Sequence, residues 1–193
     1  DEALMGQTTS EDVNEMLGVI HTEIIRLTAV LEGFRDYASM SEPGRTDVDL
    51  GTLINKLARF IRPQAEQQHV KVEVNLAEEN LPAIKADSVH MDQVLLNLAL
   101  NALQAMPEGG ILSIGLQQEG EWLRIKVSDS GKGIPAEYRD RIFDPYFTTR
   151  NDGTGMGLAL CEKIVRQHDG TIDLETGAGG TAFSVLLPIN EKP

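Results

Sequence analysis

The sequence predicts an α+β protein, a two-layer α/β sandwich with helices on one face of a mixed, mostly antiparallel sheet, preceded by a long coiled-coil helix. Three observations predict it. Val13, Leu17, Ile20, Ile24, Leu27, Leu31, Phe34 and Ala38 follow steps of four and three without a break, which is a heptad seam. From Leu50 onward, segments of helical period and of period two succeed one another in the order helix, strand, strand, helix, strand, strand, and later helix, strand, strand. Between these two groups lies one irregular, Gly-rich region from Ser130 to Gly157.

Each element has a local cause. Residues 13–38 make about 39 Å of helix, with Ser10 as its cap. So narrow a stripe is a coiled-coil or bundle face that needs partner helices, and residues 1–9 are too short to supply one. "SMSEPGRTD" (39–47) reads as a linker by its Ser, Pro and Gly content, which places a domain boundary near residue 45. A helix over 50–68 turns Leu53, Ile54, Leu57, Phe60 and Ile61 inward, and Pro63 should bend or restart it. Val70, Val72, Val74 and Leu76 alternate as a strand, and "PAIKA" (82–86) forms a short second one. Asp87 caps a helix carrying Val89, Val94, Leu95, Leu98 and Ala102 as far as Met106. "ILSIGLQ" (111–117) and "WLRIKVSD" (122–129) form a hairpin across "QEGE". The irregular region holds at most one short helix, opened by Pro135. A structureless stretch of this size inside a compact domain marks a functional lid. A helix to His168, a turn at Asp169–Gly170 and strands 171–176 and 181–187 complete the order.

Composition narrows the function. A formal charge of −13 over 193 residues excludes a nucleic-acid surface, which needs clustered Lys and Arg. The 41% hydrophobic content supports a real core. No run of 18 apolar residues and no signal-like segment occurs, so this segment is expected to make no membrane contact. The single Cys161 excludes internal disulfides, suits a reducing compartment, and reads as a buried small hydrophobe.

Four clusters carry residues that could do chemistry. Gly153, Thr154, Gly155, Met156, Gly157 and Leu158 pass into a helix, but polar residues precede the glycines and no Lys-Ser/Thr follows. Neither a dinucleotide fingerprint nor a P-loop fits. Glycines before a helix start let backbone N–H groups approach an anion, and the stretch alone leaves phosphate binding and a plain flexible loop equally open. Asn97 and Asn101 share one helix face beside an apolar stripe, where two neutral oxygens suit Mg²⁺; a pair of surface amides is the alternative. Asp129 ends a strand before Gly131 and Gly133, placed to accept an exocyclic amine hydrogen bond such as adenine offers. Phe143, Tyr146 and Phe147 read as anchors that dock the lid, beside Thr148, Thr149 and Arg150, which could contact phosphate.

Taken in order, "QVLLNLALNALQA", "DSGKGI", "FDPYFTT", "GTGMGLAL" and "GAGGTAFSVLLP" closely resemble the N, G1, F, G2 and G3 boxes of sensor histidine kinase catalytic domains. These belong to an ATPase superfamily with gyrase, mismatch-repair and heat-shock chaperone members. The resemblance covers residues 48–190, and 10–38 looks like the second helix of the family's dimerisation and phosphotransfer domain. It implies a Bergerat-type ATP-binding fold in residues 46–193 after a partial dimerisation helix and linker in 1–45, with ATP and Mg²⁺ as ligands. It further implies that Asn101 binds Mg²⁺, that Asn97 assists near the phosphates, and that Asp129 holds the adenine amino group. Gly131, Gly133 and Ile134 would shape the base pocket, and Thr181 would lie near it. Residues 135–156 would be the ATP lid, with Gly153, Gly155, Gly157 and Leu158 as its phosphate-side hinge.

In the hydrolysing relatives the position four before the metal asparagine is a glutamate. Here it is Asn97, which cannot act as a base, so transfer is favoured over hydrolysis. The family's phosphoacceptor histidine, with its following acidic residue and proline, has no match; His21 reads as a helix-surface residue and His69, His90 and His168 as solvent-facing ones. The resemblance therefore implies an acceptor helix outside this chain, a homodimer through helix 10–38, a response regulator receiver domain as partner, and a cytoplasmic location, whether or not the whole sensor is membrane-anchored. A hydroxyl-directed protein kinase or anti-sigma-type regulator of the same fold, and a nucleotide-binding adaptor that never catalyses, are the competing readings.

Overall fold

The computed structural model describes residues 10–40, 42–78, 81–150 and 153–190. Residues 1–9, and Asn151 and Asp152 of the turn expected before the glycines, lie outside the described residues.

Helix α1 (Ser10–Ala38) carries the heptad seam, and Val13, Leu17, Ile20, Ile24, Leu27, Leu31 and Phe34 are all exposed, Leu31 at 67%. Ser10, expected as the cap, is already helical. The last turns of α1 dock on the rest of the chain. Lys163 lies 4.4 Å over the Tyr37 ring and donates to the Tyr37 carbonyl, while a Cβ added at Gly33 would stand 3.2 Å from Met156.

Strand β1 (Thr46–Val48), absent from the sequence reading, starts inside the expected linker and pairs antiparallel with β3 (Ile84–Ala86). Three residues are too few to show a period, and the Ser, Pro and Gly before them dominate the local signal. Helix α2 (Leu50–Gln67) is capped by Asp49, whose carboxylate accepts from the Thr52 N–H at 3.2 Å and hydroxyl at 2.7 Å. It runs on through Pro63 without restarting. Phe60, expected inward, is 71% exposed: at about 100° per residue it falls outside the arc of Leu53, Ile54, Leu57 and Ile61.

Strand β2 (Val70–Leu76) follows, then β3 and helix α3 (Ser88–Ala105), whose N-cap Asp87 accepts from Val89 and His90. Val89, also expected inward, is 71% exposed, because two residues of helix place it opposite buried Met91. Strands β4 (Gly110–Glu119) and β5 (Trp122–Asp129) form the expected hairpin. A 3-10 helix at Ala136–Arg141, with Pro135 at its cap, is the regular element in the described part of the lid. Helix α4 (Gly157–Gln167), a turn with Asp169 at φ 57°, and strands β6 (Thr171–Gly177) and β7 (Gly180–Pro188) close the order.

The main sheet has the order β2-β4-β5-β7-β6, with β2 and β4 parallel and every other pair antiparallel. Helices α2, α3 and α4 cover one face, burying Leu53, Ile54, Leu57, Leu95, Leu98 and Ile164 against Leu112, Ile114, Ile125, Val127 and Val185. Each such side chain contributes about 1.5–3 kcal/mol of burial. The other face is polar, with Lys126–Glu175 and Asn75–Ser113 contacts. Mixed pairing follows from connectivity: α3 carries the chain across from β2 to β4, whereas short turns join the other neighbours in sequence.

Candidate functional site

Strand β5 delivers Asp129 half-buried at its end. Oδ1 accepts the Gly131 N–H at 2.8 Å and the Thr181 N–H at 3.2 Å; among the described residues Oδ2 has no hydrogen bond. Burial pushes the Asp129 carboxyl above the ordinary carboxylate range, against those two backbone donors. A half-buried carboxylate with one oxygen unpaired is costly for the fold and suited to an N–H donor from a ligand. Gly131 is required by close approach: a Cβ there would stand 2.5 Å from the Ala105 carbonyl oxygen at the end of α3. Gly133 packs against Gly177. The Ile134 N–H donates to Thr176 Oγ1 at 2.8 Å, and that hydroxyl lies 3.2 Å from Thr181 Oγ1, on a side chain that is buried. Thr176 was missed from the sequence. Its one signal is its place opposite Thr181 in the β6–β7 register.

Asn97 and Asn101 are half-buried, one turn apart on α3. Asn97 faces the start of α4, where a Cβ on Gly157 would stand 3.6 Å from its Oδ1. It also neighbours Cys161, whose buried thiol donates to the Val94 carbonyl at 3.8 Å and is pushed up to about 12 by desolvation, with Asn97 acting the other way. The buried, inert cysteine is as expected. The Asn101 carboxamide makes no hydrogen bond among the described residues. At the head of α4, Thr154 Oγ1 accepts the Met156 N–H at 3.3 Å, Met156 is buried, and Gly157 and Leu158 open the first turn. The first-turn N–H groups and positive dipole end of α4 thus lie beside Asn97.

In the lid, Phe143 packs edge-on to Phe183 at 6.3 Å, and Phe147 contacts Tyr138 at 5.7 Å with Arg141 over its ring at 4.6 Å. Those two anchor as expected. Tyr146 does not: it is 52% exposed, with φ 67°. It is turned out because the chain crosses Gly155 there. Gly155 has φ 68°, and a Cβ on it would stand 2.4 Å from the Tyr146 carbonyl carbon. Thr148 Oγ1 accepts the Arg150 N–H at 3.1 Å, Gly153 lies against that same hydroxyl, and Thr149 is exposed.

The structure therefore gathers the predicted residues into two groups, Asp129 with Gly131, Gly133, Ile134 and Thr181, and Asn97 with Gly157 and the head of α4. The end of α3 joins them through Gly131. Outside these groups, Gly155 packs against the Tyr146 backbone. Two clefts, of about 420 and 590 Å³, lie on the outer sheet face around Gly115 and beside Arg59 and Arg62. Neither is lined by a predicted site residue.

Two histidines depart from expectation. His168 is 2% exposed, held between Asp87 and Ile164, and His90 is half-buried against it. Both follow from packing of α3 on α4, which no single-helix period reveals; His69 is exposed as expected.

The family described as histidine kinase-, DNA gyrase B-, and HSP90-like ATPase matches residues 86–191, a span that contains every predicted site residue. The chain belongs to this family. It carries a histidine kinase catalytic ATP-binding domain. It is 38% identical over 180 residues to the sensor histidine kinase ZraS of Escherichia coli (strain K12), across 93% of this chain and 38% of that protein. The chain thus spans well under half the length of that relative. The catalytic domain of the histidine kinase ThkA, solved nucleotide-free, superimposes with a TM-score of 0.71 at 32% identity, covering 76% of this chain and 96% of that one. ThkA in complex with the response regulator protein TrrA gives 0.78 at 27% identity, over 94% of this chain and 52% of that one.

Proposed function

We propose that this ATPase domain binds ATP with Mg²⁺ and transfers the γ-phosphate to a histidine on a dimerisation helix outside this chain. Asn97 carries the reading. The side chain one turn before Asn101, facing Gly157 at the head of α4, is an amide, and an amide takes no proton from water. A nucleophile that is itself supplied needs positioning and charge neutralisation instead.

Asp129 accepts the adenine amino group on Oδ2 while Gly131 and Thr181 hold Oδ1. Gly131, Gly133 and Ile134 shape the base pocket. Asn101 is the metal ligand. Among the described residues its half-buried amide has no hydrogen-bond partner, and no cluster of three or more His, Cys, Asp or Glu could hold a metal. This fits a hard ion that takes most of its ligands from phosphate and water. Held by Asn101, Mg²⁺ would supply charge neutralisation to the phosphates. Tyr146, Phe147, Thr148, Thr149 and Arg150, with Gly153 to Leu158, form the lid and its hinge. In the transfer, an imidazole nitrogen lone pair forms the bond to γ-phosphorus, the bond to the β–γ bridging oxygen breaks with its electron pair leaving on ADP, and the ring's other N–H proton passes to solvent.

Residues 1–45 then serve as dimerisation helix and linker and 46–193 as the catalytic unit. The exposed seam of α1 supports a homodimer. The ThkA–TrrA complex supports a receiver domain as the next partner. Among the described residues no helix is long and apolar enough to cross a membrane, and use of ATP supports a cytoplasmic side for this domain. The test supplies the acceptor helix as a separate chain with γ-labelled ATP. Acid-labile label on its histidine is expected. Label released only as orthophosphate, acid-stable label on a hydroxyl, or nucleotide binding with no transfer would each contradict the proposal.

A further inference from the structure

The segment between α1 and β1 is fastened at two adjacent residues. The Gly44 N–H donates to Asp87 Oδ2 at 3.0 Å, and Arg45 Nη2 donates to the Gln167 carbonyl at 2.7 Å and to Asp169 Oδ2 at 2.8 Å. Both fastenings converge on His168. The Asp87 N–H donates to His168 Nε2 at 3.0 Å, while His168 Nδ1 lies 2.8 Å from the Ile164 carbonyl oxygen. A carbonyl only accepts, so Nδ1 carries the proton and Nε2 offers its lone pair. The ring is neutral by construction, because a proton on Nε2 would face the Asp87 N–H donor to donor.

The surroundings oppose a charge on this ring. Desolvation acts first, followed by Arg45 from the linker and His90 from α3; the Asp87 carboxylate acts the other way, and the Ile164 carbonyl favours the charged ring as well. Together these hold His168 below the ordinary imidazole range. His90 lies edge-on at 5.9 Å, with a buried Nδ1 that has no hydrogen-bond partner and stands 4.0 Å from Asp87 Oδ2. Asp169, on the turn after α4, faces Arg45. The bonds form a closed circuit from Ile164 through His168, Asp87 and Gly44 to Arg45 and back to the end of α4. The circuit joins the linker to the N-cap of the helix bearing Asn97 and Asn101 and to the helix that the lid glycines open.

We propose that His168 is a positioning residue whose neutral ring closes a clasp on Gly44 and Arg45, fixing the direction in which α1 leaves the catalytic unit, and that protonating the ring opens the clasp. The consequence for transfer to a dimerisation helix rests on the proposed function; the clasp does not. As pH falls through the ordinary imidazole value the unfolded chain takes up a proton before His168 does, so the folded state loses stability across that window.

Amide hydrogen exchange, expressed as protection relative to an unstructured peptide and read by NMR from pH 8 to pH 5 on the nucleotide-free chain, tests it. In the unsubstituted protein, protection at Gly44 and Asp87 should fall about tenfold, the scale of one lost hydrogen bond, in step with the His168 ring resonances. His168→Gln keeps an acceptor that does not titrate and should hold the protection constant across the range. His168→Ala should lower it at every pH. Protection at Gly44 that ignores His168 titration, or a pH dependence that survives in His168→Gln, would overturn the clasp, and the glutamine variant decides this even if the alanine variant does not fold. ATP affinity measured alongside should stay unchanged in His168→Gln. Because the readout uses no ATP, failure of phosphoryl transfer would count against the proposed function and leave the clasp standing.

Discussion

Around Asp129, on the side assigned to the base, three backbone N–H groups are tied to side chains rooted in strands. Gly131 and Thr181 donate to Asp129 of β5, and Ile134 donates to Thr176 of β6. On the side assigned to the phosphates, two side-chain hydrogen bonds are local to the loop: Thr148 with Arg150, and Thr154 with Met156. The segment meets the core through apolar side chains, Phe143 on Phe183 and buried Ile142 among them. Ring contacts tolerate sliding that hydrogen bonds do not. On the proposed assignment the base would meet a prearranged edge and the phosphates a segment free to shift.

Substitutions on each side can break or sharpen that contrast. The largest effect belongs to Asn101, at the junction. Asn101→Ala should cut phosphoryl transfer by about a hundredfold or more, the scale of losing a metal's charge stabilisation, while calorimetry finds adenosine binding unchanged. Equal losses in both would place Asn101 on the base side instead. Gly131→Ala should lower stability by about 1–3 kcal/mol in denaturant titration and abolish measurable ATP binding, because the methyl group meets backbone on α3. Asp129→Asn should weaken ATP binding by about 1.5–3 kcal/mol. It should also flatten the acid end of the stability curve. Burial raises the Asp129 pKa, so the folded state keeps its proton longer and loses stability as pH rises from the ordinary carboxylate value to the folded one; thermal melts of the amide variant should lack that decline. Thr176→Val should remove about 1 kcal/mol of stability with a smaller change in affinity than Asp129→Asn. Smallest, Tyr146→Gly should relieve a left-handed backbone and raise the melting temperature by the equivalent of about 1 kcal/mol or less.

Most of the fold was legible because its periods are strong and its caps conventional. Asp87, the β4–β5 hairpin and the turn at Asp169 stood where the residues placed them. What escaped was set by contacts between elements. Strand β1 exists because β3 offers it a partner, and His168 is buried because α3 crosses α4 above it. Phe60 and Val89 are apolar residues outside their helices' buried arcs, and composition alone does not separate them from neighbours inside. In the candidate site, Gly131, Gly133 and Gly155 were readable because the close approaches there admit no Cβ. Thr176 was not, since a threonine in a strand is ordinary until the register sets it across from Thr181. Tyr146 was read as an anchor like its neighbours, and only the crossing at Gly155 shows why it turns outward.

The central claim is that Asp129 Oδ2 waits for the adenine amino group. The most direct measurement compares ATP with purine riboside triphosphate, which lacks that amino group, by titration calorimetry on the unsubstituted chain and on Asp129→Asn. Loss of a hydrogen bond to a buried carboxylate predicts about 10- to 100-fold weaker binding of the purine analogue to the unsubstituted chain, and a difference that shrinks severalfold in the variant. Equal affinity for the two nucleotides in the unsubstituted chain would contradict the account.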